Sequence, residues 1–201
     1  MRIETSAGPA EIELDRPTAA ALLLLLTHGS GGGVDAKDLL AVRDRAVDLG
    51  MAVARVTQPY RVAGRRAPGS ATVQDAAWLE IVAALRKKVR GVPLVQGGRS
   101  NGARVACRTA VEVGAKGVLA LSFPLHPPGK PEKTRRDELL AASEHVDVVV
   151  INGARDPFGI PDPADAAEVK IIPAQPHSFR AGFDDIAATV EPWLRRWAAA
   201  G

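Results

Sequence analysis

A chain of 201 residues suits one domain, spanning 1–201, that buries its core without disulfides or metals. Its 46% hydrophobic and 24% charged content excludes a disordered chain, and with 4% aromatics the core must be built from Ala, Val, Leu and Ile. The net charge of +3 is carried by scattered pairs (Arg65-Arg66, Lys87-Lys88, Arg135-Arg136, Arg195-Arg196) without interleaved aromatics, which reads as solvated faces rather than a nucleic-acid surface.

Taken in chain order, residues 11–14 alternate apolar and acidic side chains and predict an antiparallel edge strand. Residues 21–27 form a continuous apolar run that ends in His28-Gly29, as a strand buried on both faces does. The run is too short to span a bilayer and follows an acidic segment, so the expectation is a cytoplasmic protein without membrane association. Asp35 is a candidate cap for a helix with apolar positions at Leu39, Leu40, Val42, Ala46 and Val47, stopped by Gly50. Residues 51–57, 93–98, 117–123 and 146–152 repeat the buried-strand pattern, and 169–173 repeats it more weakly. Trp78, Ile81, Val82 and Leu85 mark one helix face, and Arg86, Lys87, Lys88 and Arg90 suit its negative end. A third helix follows Ser100, and residues 183–197 carry the last. Strands alternating with helices imply a mostly parallel sheet covered by helices on both faces. Cys107, the single cysteine, sits among small apolar residues and reads as packing.

Gly98-Arg99-Ser100-Asn101-Gly102 is a G-x-S-x-G between a strand and a helix. A serine on such a sharp turn projects its hydroxyl above the sheet, where crowding leaves its neighbours little beyond glycine. His28-Gly29-Ser30-Gly31-Gly32-Gly33, after the first buried strand, is a loop whose backbone N–H groups could converge on an oxyanion. It lacks the G-K-[ST] ending of a phosphate loop and the glycine spacing of a dinucleotide site. A serine nucleophile needs an acid and then a base after it in the chain. Of the four histidines, His28 precedes Ser100 and His145 falls in a charged segment before a strand. His177 follows the last strand, where the base should emerge, and Asp156 follows the strand before it. His126, also after a strand, stays open as a substrate contact, an alternative base or a structural loop residue; His28 is a further candidate contact. Asp162 and Asp165 read as helix caps. No metal or organic cofactor is called for.

Five ordered motifs resemble the α/β-hydrolase-like family that includes the Tex and KANL proteins, related to dienelactone-hydrolase-like enzymes. They are Thr27-His28-Gly29-Ser30-Gly31-Gly32, Gly97-Gly98-Arg99-Ser100-Asn101-Gly102, Phe123-Pro124-Leu125-His126-Pro127-Pro128, Arg155-Asp156-Pro157-Phe158 and His177-Ser178-Phe179. The resemblance covers roughly residues 20–200 and implies an α/β-hydrolase fold with Ser100, Asp156 and His177 as nucleophile, acid and base. It also implies oxyanion donors from the backbone of Ser30 and Asn101. Pro176 replaces a commonly acidic residue and Ala103 a frequent glycine, and neither change removes a triad member. Short connections leave no room for a large lid. The expected activity is a serine esterase or related hydrolase acting on a small acyl substrate. A non-catalytic scaffold domain of the same fold is the alternative, and the motifs do not separate hydrolysis from acyl transfer.

Overall fold

A computed structural model describes residues 1–200. Its strands are β1 (Arg2–Ile3), β2 (Ala10–Asp15), β3 (Leu23–Thr27), β4 (Ala52–Thr57), β5 (Leu94–Arg99), β6 (Gly117–Leu121), β7 (Asp147–Gly153) and β8 (Glu168–Ile172). The helices are α1 (Lys37–Asp48), α2 (Pro59–Val62), α3 (Ala71–Lys88), α4 (Asn101–Thr109), α5 (Arg136–Ser143) and α6 (Phe183–Ala199). Among the described residues the strands form one sheet ordered β1-β2-β4-β3-β5-β6-β7-β8. Pairing is antiparallel from β1 to β4 and parallel from β4 through β8.

The apolar runs form central strands because each must face helices on both sides. In β3, Leu23 and Leu25 meet the layer of α3, α4 and α5, with Trp78, Ile81, Val105 and Leu139. Leu24 and Leu26 meet the layer of α1 and α6, with Leu39, Val42, Ile186 and Trp197. Polar side chains are buried beside the first layer as well. Gln96 on β5 accepts from Trp78 Nε1 at 2.7 Å and donates to the Ala106 carbonyl at 2.6 Å and to Thr109 Oγ1 at 3.0 Å. That network leaves no lone amide in the core. Cys107 is buried beside it and its thiol is pushed up to about 12 by desolvation, so it packs rather than reacts.

Three expectations need correction. The alternating segment pairs antiparallel as expected, yet β1 covers it, so it is not the edge of the sheet. Two residues carry too little pattern to be seen. Asp35 does not cap α1: the N-cap position is Ala36, with no side-chain cap, and Asp35 folds over Gly33 instead. The first-turn carboxylate is Asp38, whose Oδ1 accepts from the Leu39 N–H at 2.9 Å. Asp162 does cap a short 3₁₀ turn (Pro163–Asp165), but Asp165 is buried and paired with Arg136 at 2.6 and 2.8 Å. The Arg136 guanidinium holds the Asp165 carboxyl below its usual range. The predicted stop at Gly50 is present: φ is +75°, and the Gly50 and Met51 N–H groups return to the Val47 and Ala46 carbonyls.

Candidate active site

The parallel strands all point their carboxyl ends to one edge, and the loops leaving that edge build the site. After β5 the chain turns sharply into α4 at Ser100, where φ is 54° and ψ −112°. This left-handed backbone is held by the Ser100 N–H donating to the Leu121 carbonyl at 2.9 Å. The turn also demands its flanking glycines. A Cβ on Gly98 would lie 2.7 Å from backbone atoms of Gly102 and Thr27, and one on Gly102 would lie 2.6 Å from the Thr27 carbonyl oxygen. Buried Ala103 and Ala106 let the rest of α4 lie against the sheet.

His177 leaves the β8–α6 loop and stands between the other two residues. Its Nε2 is 2.9 Å from Ser100 Oγ and its Nδ1 2.8 Å from Asp156 Oδ2. The Asp156 side chain is fully buried and its Oδ1 accepts from the Phe158 N–H at 2.9 Å. The Phe158 ring lies over His177, centroid to centroid 4.1 Å. The neutral imidazole that fits these partners donates Nδ1–H to the carboxylate and accepts the serine proton at Nε2. This arrangement can move a proton from Ser100 Oγ to a base that is already oriented.

The glycine-rich loop after β3 presses on this turn: a Cβ on Gly29 would be 3.2 Å from Ser100 Cβ. Ser30 and Asn101 both line the adjoining cavity of about 600 Å³. The Asn101 N–H opens α4 and so has no acceptor within the helix, and the Ser30 N–H makes no hydrogen bond among the described residues.

With that geometry in place, comparison with known proteins identifies the family. The sequence matches the family described as "Alpha/beta hydrolase domain" over residues 20–182. The chain belongs to that α/β-hydrolase family. No curated relative matches the sequence. The fold of this α/β hydrolase resembles XC6422 from Xanthomonas campestris, described as a serine hydrolase without a lid. The TM-score is 0.74, identity is 16%, and 98% of this chain and 93% of that one are covered. It also resembles Est1E from Butyrivibrio proteoclasticus, solved with ferulic acid bound (TM-score 0.79, 17% identity, 99% of each chain). A dienelactone hydrolase from Anabaena variabilis is similar too (TM-score 0.77, 16% identity, 98% and 96%). The mostly parallel sheet without an added lid agrees with the fold expected from the sequence.

The other two candidate histidines stand elsewhere. His28 does not face the cavity: it is fully buried, with Nε2 accepting from the Gln58 N–H at 3.0 Å and Nδ1 2.8 Å from the Gly29 carbonyl. Placed just past the end of β3 with its ring turned inward against Tyr60, it ties that strand end to the end of β4. With both ring nitrogens engaged and the ring outside the cavity lining, His28 is a structural residue and not the substrate contact expected from the sequence. His126 lies outside the cavity lining, its Nδ1 2.9 Å from the Pro127 carbonyl and its ring packed over Gly159. His145 is exposed just before β7, away from the sheet edge that carries Ser100.

Burial keeps His28 neutral by pushing its pKa below the ordinary histidine value. The unfolded chain takes up a proton there near pH 6.5, whereas the folded chain resists it. His28 therefore makes stability fall as the pH drops below about 6.5. Urea midpoints measured at pH 7.5 and 5 should show a smaller acid loss in His28→Gln than in the parent. An equal loss would remove His28 as the source.

Sequence reasoning missed three residues that hold this site. Arg99, the variable residue before the serine, has its Nε 3.0 Å from Asp38 and donates through Nη2 to the His177 carbonyl at 3.0 Å. It links α1, the serine turn and the histidine loop. Burial raises the Asp38 carboxyl pKa, and Arg99 opposes that rise. Asn152, buried at the end of β7, accepts from the Phe123 N–H at 2.9 Å. It also donates to Asp156 Oδ2 at 3.3 Å and to the Gly159 carbonyl at 3.2 Å. Only the position of Asn152 in an otherwise apolar run hinted at such a duty.

Proposed function

We propose that this α/β hydrolase is a serine esterase or related acyl hydrolase using Ser100 as nucleophile, His177 as base and Asp156 as the orienting acid. The observation that carries this reading is the placement of His177, within hydrogen-bond reach of both partners on a serine held at positive φ. Packing alone does not call for two such polar contacts joining three side chains in one line.

Ser100 Oγ attacks the acyl carbon of the substrate while its proton passes to His177 Nε2. The carbonyl oxygen becomes negative and accepts hydrogen bonds from the backbone N–H groups of Ser30 and Asn101. As the bond to the leaving alcohol breaks, His177 returns the proton to that oxygen. Water then attacks the acyl-enzyme and gives its proton to His177. The acid departs and Ser100 regains its proton. Asp156 keeps Nδ1 protonated and stabilises the imidazolium in between. Five motifs favour a place near the Tex and KANL proteins, and a small-molecule acyl substrate fits a cavity of about 600 Å³. Among the described residues no helix is long and apolar enough to cross a membrane.

A fluorophosphonate tests the assignment. The parent protein should acquire one adduct, located by peptide mass spectrometry on Ser100, and Ser100→Ala should remain unlabelled. An unlabelled, folded parent protein would instead support the scaffold alternative.

A further inference from the structure

The cavity beside Ser100 is cationic. Lys37, Arg99, Arg104 and Arg135 line it against one carboxylate, Asp38. Two of the four cations are already committed. Arg99 faces Asp38 and the histidine loop. Arg104 forms a bidentate pair with Glu138 at 2.6 and 2.8 Å, and Glu138 is shared with Arg108. Arg135 differs from both. It is half-buried, makes no ion pair among the described residues, and spends one N–H on the Pro124 carbonyl at 3.1 Å.

The sequence presents Arg135-Arg136 as one solvated pair, and the fold separates them. Arg136 points to Asp165, while Arg135 turns toward the cavity. Its backbone N–H is anchored on the Leu125 carbonyl at 2.7 Å, which fixes the start of α5 against the loop after β6. Desolvation and then the nearby Arg104 charge lower the Arg135 pKa, and the Glu138 carboxylate, itself paired with Arg104 and Arg108, offsets this only in part. A guanidinium in that setting offers a planar fork of donors matched to carboxylate.

We infer that the cavity selects acyl substrates carrying a second, anionic group, a carboxylate on the acyl chain read by Arg135. Monoesters of dicarboxylic acids are the class this describes. The inference rests on the hydrolase reading above. A charge-assisted hydrogen bond of this kind corresponds to about a 10- to 100-fold preference.

The test compares p-nitrophenyl hydrogen adipate with p-nitrophenyl hexanoate, which match in chain length and differ only by the terminal carboxylate. The hexanoate ester of 3-hydroxybenzoate, compared with that of phenol, places the carboxylate on the alcohol side instead. The parent protein should favour the adipate in kcat/KM by about 10-fold or more. Arg135→Gln should lower that ratio by a similar factor, Arg135→Lys should recover part of it, and Arg195→Gln on α6 should leave it alone. A preference confined to the alcohol-side pair, or a ratio unmoved in Arg135→Gln, overturns the inference. If no ester turns over and Ser100 does not label, the hydrolase reading fails, and calorimetry with Ser100→Ala decides the pocket separately. Monomethyl adipate should then bind more tightly than methyl hexanoate, with the difference lost in Ser100→Ala/Arg135→Gln. Equal binding of the two esters overturns the pocket reading as well.

Discussion

His177→Ala should lose ester turnover by about 10³-fold or more, close to the loss in Ser100→Ala, whereas His126→Ala should keep measurable turnover. A triad acts as a unit, so removing the proton acceptor costs nearly as much as removing the nucleophile, on the order of 4 kcal/mol in barrier height. The imidazole of His177 sits 2.9 Å from Ser100 Oγ, and the His126 ring lies over Gly159 outside the cavity. Losing His126 therefore removes loop packing and no proton transfer, and should cost about 10-fold at most. Steady-state kinetics on a short acyl ester, with melting points as a check on folding, read the difference. A dead His126→Ala beside an active His177→Ala would reverse the assignment of the base.

The second large effect concerns the core. Trp78 is 1% exposed and its indole N–H is the partner of Gln96 Oε1. Trp78→Ala opens a cavity between α3 and β5 and strands that oxygen, at about 3–5 kcal/mol. For a chain of this size the melting point should fall by about 6–20 °C. Trp78→Phe fills most of the volume and mainly loses the hydrogen bond, so it should cost about 1–3 kcal/mol. Urea unfolding of both variants separates the contributions. A Trp78→Ala midpoint within experimental error of the parent would show that Trp78 does not anchor α3.

The amino-acid sequence by itself determined the layered α/β architecture, because a strand covered on both faces must be apolar at every position and such runs are visible locally. It determined the serine turn for the same kind of reason: glycines two residues either side of Ser100 are demanded by contacts of under 3 Å with Thr27 and with each other. The chain order expected of serine, acid and histidine pointed to Asp156 and His177, and the structure brings both side chains together with Ser100. What only the tertiary structure decided are pairings between segments far apart in the chain. Arg99 meets Asp38 and the His177 carbonyl, and Asn152 bridges Phe123 and Asp156. Gln96 gathers Trp78 and Thr109. Adjacent Arg135 and Arg136 part company because α5 starts between a cavity and a buried carboxylate. No window of sequence contains both members of the longer pairs. Sheet order and helix placement set which side chains meet, and both follow from packing the whole core at once.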